Sequence, residues 1–196
     1  YVPSSGSRLK NLAGYFFPPF NTAPFFQTDP EFHEFDLADH SLKVLSFLEQ
    51  SIQNRLAKQP DFSELMSDED LFALKWSALF HDMGKTMEGE AHEITSNRIS
   101  DKILIKLGLT DNSVTTEKIA YLIANHQRPE EIMRLALNRE DAMMGLISLM
   151  ENSPDRLSHL ILLCAADIRG VNSSLNSHAL RLEKIYEECN NLIANT

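Results

Sequence analysis

The chain has 196 residues, 43% of them hydrophobic, which suffices for one well-buried core and is short for two. Its formal net charge of −10 argues against non-specific binding to nucleic acid, whose phosphates demand clustered Lys and Arg. Free nucleotides and small phosphate esters stay open as partners, because a metal ion can supply local positive charge that the bulk composition lacks.

Only seven glycines and an abundance of Leu, Ala, Glu and Lys favour an all-α fold. Cys164 and Cys189 form no spaced framework and fall in helical segments, so both are expected as reduced thiols. No run approaches the roughly 18 to 20 apolar residues that span a bilayer, and the opening "YVPSSGSRLKNLAG" lacks the apolar centre of a signal peptide. No membrane association and a cytoplasmic location are therefore expected. The first residue is Tyr1 rather than Met, which is compatible with a piece of a longer protein.

Residues 1–35 gather Phe16, Phe17, Phe20, Phe25, Phe26, Phe32 and Phe35 among prolines, with no helical period. They read as an extended aromatic and Pro-rich arm packed on the core or on a missing neighbouring domain; such a neighbouring domain or a homo-oligomer is the macromolecular partner expected. A helical pattern begins at Asp36 and runs to about Lys58, with Leu42, Val44, Leu45 and Leu48 apolar and His40 near its start. After Pro60, "SDEDLFALKWSALFHD" opens on Ser67 as N-cap and acids in the first turn, and its helix is expected to stop near Gly84.

Further helices are expected from about His92 to Leu107, ended by Gly108, and from Ser113 to His126, with Pro129 soon after. Residues 130–152 read as one or two shorter helices. Beyond Pro154, "DRLSHLILLCAADIRG" is an apolar helix that sets Asp167 close to its C-terminus before Gly170, and a last amphipathic helix covers about Ser177 to Leu192. The sum is a bundle of about seven or eight helices over residues 36–196.

An apolar helix that runs into His81-Asp82 poses a chemical question, since a carboxylate removed from water needs a partner or a metal. Candidate ligands in chain order are His40, His81, Asp82, His92, His126 and Asp167, several of them at helix ends. Imidazoles and carboxylates with no thiolate suit a divalent ion such as Mn, Fe, Ni, Co, Zn or Mg. Each residue also has a plainer account: His40 as an ordinary helix histidine, Asp167 as an ion-pair partner of Arg169, and His33, His159 and His178 as structural or surface residues.

The segments "TDPEFHEFDLADHSLKVL", "ALFHDMGK", "AHEITSNRISDKIL", "IANHQRP" and "CAADIRG" resemble the HD superfamily of metal-dependent phosphohydrolases. The nearest likeness is to the HD domains of CCA-adding tRNA nucleotidyltransferases and of bacterial uridylyltransferase/uridylyl-removing enzymes. It covers about residues 28 to 172. The resemblance implies an HD-type bundle in which His40, His81, Asp82 and Asp167 hold one ion and Asp82 acts in catalysis. It also implies that His92 and His126 hold a second ion or support the first. Lys85 and Arg169 are then candidates for substrate phosphate.

A nucleotidyltransferase head would need a Gly-Ser loop leading to paired aspartates. Asp68-Glu69-Asp70 follows no such loop and reads as the acidic first turn of a helix, so nucleotide addition is not expected. The leading expectation is hydrolysis of a nucleotide or of a small phosphate mono- or diester, 2′,3′-cyclic esters included, by metal-activated water. The alternatives are a regulatory or interaction domain without turnover, a fragment of a larger nucleotidyltransferase-like protein and, more distantly, di-iron oxygen chemistry on the same ligand types.

Overall fold

Capping chemistry begins the first helix: Asp36 Oδ1 accepts a hydrogen bond from the Asp39 amide at 2.8 Å, and its carbonyl accepts one from the His40 amide at 2.8 Å. The structure, a computed structural model, describes residues 36–58, 66–87, 89–109, 113–150 and 153–194. The arm expected over residues 1–35, with His33, lies outside them. The described residues form eight α-helices and no strand: α1 Leu37–Lys58, α2 Asp68–Phe80, α3 His92–Leu107, α4 Ser113–Asn125, α5 Arg128–Leu135, α6 Arg139–Ser148, α7 Pro154–Val171 and α8 Asn176–Ala194. Short 3-10 turns at Met83–Thr86 and Ser173–Leu175 follow α2 and α7. No helix of the described residues is long and apolar enough to cross a membrane.

The centre of the bundle is α7. Leu160 through Ala166 are all buried, as expected of a helix that is apolar on every side. Helices α1, α2, α4, α5 and α8 pack against it. Leu160, Leu162, Leu163 and Ala166 join a core built with α1 to α4, while Leu157, Ile161, Cys164, Ala165 and Ile168 join a second core with α6 and α8. Each buried Leu or Ile contributes about 1.5–3 kcal/mol through loss of exposed apolar surface. Both cysteines are free and buried, as their placement in helices suggested.

The expected helix starts are present in detail. Ser67 Oγ accepts from the Asp70 amide at 3.1 Å, and Asp70 Oδ2 accepts from the Ser67 amide at 3.1 Å, closing a capping box. Asp70 goes further than a capping acid, because its other oxygen pairs with Lys118 of α4 and lies 3.8 Å from His159 Nδ1 of α7. It thereby ties the start of α2 to two neighbouring helices.

Two glycines do different work from the helix stops expected of them. Gly108 ends α3 in the left-handed region at φ 67°. Gly84 does not, and α2 has already ended at Phe80. A Cβ on Gly84 would stand 2.0 Å from the His92 carbonyl oxygen, so the residue is needed for the close approach of the Met83–Thr86 turn to α3. Its amide donates to Ser96 Oγ at 2.8 Å. Gly170 lies inside α7 rather than beyond it, and a Cβ there would meet Val44 Cγ2 at 2.7 Å and the His40 ring at 3.3 Å.

Two stability effects follow. Gly84→Ala should cost about 3 kcal/mol in urea unfolding, because the opposing atoms are backbone and have no rotamer with which to yield. For Asp70, burial would raise the carboxyl, but Lys118 and Ser67 outweigh it and leave it below the ordinary value of 3.8. Its depressed folded value makes the stabilisation fully present above about pH 3.8 and lost as the pH falls through the folded value. Asp70→Asn should therefore cost about 1–2 kcal/mol at pH 7, unchanged at pH 4.5, with the gap closing at pH 3.

Candidate metal centre

Five helix ends converge on one point. His40 sits in the first turn of α1, His81 and Asp82 just past α2, His92 at the first residue of α3, His126 just past α4, and Asp167 in the last turns of α7. The C-termini of α2 and α4 turn partial negative charge toward this point and the N-termini of α1 and α3 partial positive charge, so the side chains decide its polarity.

Local backbone geometry orients the two histidines that follow helix ends. His81 Nδ1 donates to the Ala78 carbonyl at 3.0 Å and His126 Nδ1 to the Ile123 carbonyl at 2.8 Å, each three residues back. A carbonyl can only accept, so Nδ1 carries the proton in both rings. Nε2 is thereby left with its lone pair aimed into the cluster. The last-turn carbonyls gain a donor from the same contact. Sequence reading missed this pair of carbonyls, although the spacing of each histidine from the end of its helix carries the signal. It also passed over Ser96, which holds the turn after Asp82 through the Gly84 amide.

The two oxygens of Asp82 face different partners. Oδ2 lies 3.6 Å from both His40 Nε2 and His81 Nε2 and 2.6 Å from Lys85 Nζ. Oδ1 lies 3.3 Å from His92 Nε2 and 3.6 Å from His126 Nε2. Asp167 Oδ1 closes the first set at 3.0 Å from His40 Nε2 and 3.4 Å from His81 Nε2, and those two nitrogens are 3.3 Å apart. Asp82 Oδ1, His92 Nε2 and His126 Nε2 are buried and form no hydrogen bond of good geometry.

Donor atoms bonded to one ion at about 2.1 Å stand roughly 3.0–3.4 Å from one another in octahedral or tetrahedral arrangements. The first set has nearly these separations, and the orphaned atoms of the second set converge in the same way. Among the described residues, three overlapping triads place their donor atoms within 4.8 Å: His40–His81–Asp82, His81–His126–Asp167 and Asp82–His92–His126. The donors fit a divalent ion.

Electrostatics agree with that chemistry. Burial would push both carboxyls up, but His81 and Lys85 beside Asp82, and His81 and His40 beside Asp167, hold each well below the ordinary carboxylate range. Burial likewise opposes charge on His40 and His126, yet Asp167 for the former and Asp82 for the latter raise both above the ordinary imidazole value. Two ionised carboxylates enclosed by histidines make a strongly negative pocket for any cation that displaces those protons.

Of the residues picked out in the sequence, His40, His81, Asp82, His92, His126, Asp167 and Lys85 come together. Arg169 does not, and its expected contact with substrate phosphate is corrected here. Its guanidinium forms a fork on Glu183 of α8 at 2.9 and 2.7 Å and reaches Ser51 of α1 at 3.4 Å. Two residues along a helix turn the side chain by roughly 200°, so a residue two beyond Asp167 faces away from it. The plainer account of Asp167 as its ion-pair partner falls for the same reason. His159 is buried beside Asp70, and His178 is exposed on α8.

A family model described as the HD domain matches residues 37–169. The chain belongs to the HD domain family. Among similar proteins is the bifunctional uridylyltransferase/uridylyl-removing enzyme of Zymomonas mobilis, 29% identical over 199 residues that cover 96% of this chain and 21% of that protein. The enzyme of the same name from Azospirillum brasilense is 28% identical over 192 residues, covering 94% and 20%. That of Haemophilus influenzae is 29% identical over 154 residues, covering 74% and 17%. This HD domain thus spans about a fifth of the length of the curated relatives it matches. The all-α bundle implied by the resemblance is the observed fold.

A metal that binds the folded cluster and not the unfolded chain must raise the melting temperature. Manganese at about a hundredfold over its dissociation constant should add about 2.7 kcal/mol to the wild-type protein, read by thermal denaturation after chelation and re-addition. Asp82→Ala should weaken this response strongly, since both sets of donors share Asp82 and only the His81–His126–Asp167 triad does without it.

Proposed function

We propose that this HD domain is a metal-dependent phosphohydrolase that cleaves a nucleotide or a small phosphate mono- or diester with water, 2′,3′-cyclic esters within its range. The observation that carries the reading is the division of Asp82 between two sets of donors, His40 with His81 on one oxygen and His92 with His126 on the other. That arrangement suits one ion or a bridged pair. An ion held there supplies Lewis acidity, polarising a phosphoryl oxygen and lowering the pKa of water.

The residues of the chain do the rest. Asp82, almost fully enclosed, is the catalytic carboxylate in this reading: it holds the two sets together and stays ionised. The cluster has one open side, since the side chains of His92, Lys85 and Asp167 are 21%, 22% and 14% exposed while those of His40, His81 and His126 are 3% or less. A phosphate arriving there meets Lys85, a mobile point charge that can exchange its contact with Asp82 for a phosphate oxygen.

The names of the relatives include removal of a uridylyl group. A uridylyl ester is accordingly the first substrate to try. The coverage of about a fifth of those relatives favours a second reading alongside, in which the domain works, or regulates, within a longer protein with neighbouring domains or in a homo-oligomer.

The test is elemental analysis of the purified chain followed by a phosphate-ester panel, including uridine 5′-phosphate esters and 2′,3′-cyclic nucleotides, with Mn, Ni, Co, Fe, Zn and Mg. Turnover that needs the ion and vanishes in Asp82→Ala is expected. Lys85→Ala should keep its metal and raise KM or slow turnover by about tenfold or more. A stable chain that binds no ion and cleaves nothing would reject the hydrolase reading.

A further inference from the structure

Beside the metal cluster lies a cavity of about 420 Å³, within the range of small-molecule sites. One face of α5 contributes Glu130, Met133 and Arg134, spaced three and four residues apart, and one face of α8 contributes His178, Arg181 and Leu182 at the same spacings. Its floor is Ile168, the residue after Asp167, and Glu130 stands four residues after His126. Burial raises the Glu130 carboxyl and the Asp167 charge raises it further, while His178 and Arg134 act in the opposite direction.

The charge of this cavity runs against that of the chain. The protein as a whole carries −10, yet two guanidinium groups and an imidazole face a single carboxylate here. Among the described residues, neither Arg134 nor Arg181 forms an ion pair, unlike Arg98, Arg128, Arg139 and Arg169. Met133, Ile168 and Leu182 supply an apolar wall beneath the two charges.

We propose that this cavity is a specificity site that takes the non-reacting part of the ester, with Arg134 and Arg181 binding a second negatively charged group on it. The inference rests on the hydrolase reading for the position of the reacting phosphate. The favoured ligand is an organic phosphate whose apolar body lies on Met133, Ile168 and Leu182 while its second phosphate or carboxylate meets the guanidinium forks. Glu130, one turn before Arg134 on the same face of α5, can accept hydrogen bonds from hydroxyl or amino groups of the same body.

The experiment is calorimetric titration of the manganese-loaded chain with adenosine 5′-monophosphate, adenosine 3′,5′-bisphosphate and a 3′-succinyl analogue of the monophosphate. The wild-type chain should bind the bisphosphate about tenfold more tightly than the monophosphate, and the succinyl analogue tells whether a carboxylate serves as well. Arg134→Ala combined with Arg181→Ala should erase that gain and leave monophosphate binding unchanged, while the double Lys variant restores part of it. Both positions are exposed, so folding is expected to survive, and a melting curve checks it. Equal affinity for the two nucleotides in the wild-type chain, or a gain that persists in the double Ala variant, overturns the proposal. Because binding is read without turnover, a chain that shows the gain yet hydrolyses nothing would count against the hydrolase reading and not against this site.

Discussion

Everything about this HD domain turns on one buried carboxylate. Taking Asp82 out of water costs several kcal/mol unless charge and hydrogen bonds replace the lost hydration, and the fold meets that cost with four imidazoles and an ammonium. Those partners come from α1, the end of α2, the Met83–Thr86 turn, the start of α3 and the end of α4. The carboxylate therefore acts as the fixed point from which the orientation of five segments is set. An apolar residue at that position would relieve the desolvation and leave several inward-facing nitrogens with nothing to face.

Such convergence demands that backbones come unusually near to one another. Gly84 lets the turn after Asp82 touch α3, and Gly170 lets α7 lie against α1 beside His40. Behind the site, the Arg169 fork on Glu183 with its reach to Ser51 locks α7, α8 and α1 together. The same central helix thus presents Asp167 to the cluster on one side and a structural clamp on the other. Close packing on the rear keeps the front rigid.

Much of this was legible in the sequence because helical signals are local. Ser67 with Asp70, Gly108, and the apolar stretch of α7 each write their role within a few residues, and the expected helix limits hold to a residue or two except at the end of α2, which stops at Phe80 and not near Gly84. The gathering of His40, His81, Asp82, His92, His126 and Asp167 was readable only through the likeness to a known family, since nothing local joins residue 40 to residue 167. Gly84 and Gly170 were misread as helix stops because a glycine needed for a steric gap looks the same in sequence as one needed for a left-handed turn. Arg169 misled for a related reason: proximity along the chain to Asp167 says little about direction, and only its partner on α8 shows which way it points. The α5–α8 cavity was invisible because its two walls lie more than forty residues apart.

The order of the ligands along the chain has a kinetic consequence. The first donor lies at the beginning of the described residues and the last in α7, so no partial chain that stops short of α7 holds the complete first set. Contacts of such sequence separation form late, after the loops between them have closed. During synthesis, the domain cannot capture an ion with its full set of donors until the central helix has emerged and docked. The Asp82, His92 and His126 donors are all present once α4 has formed, so the two sets are completed in a fixed order, the second before the first.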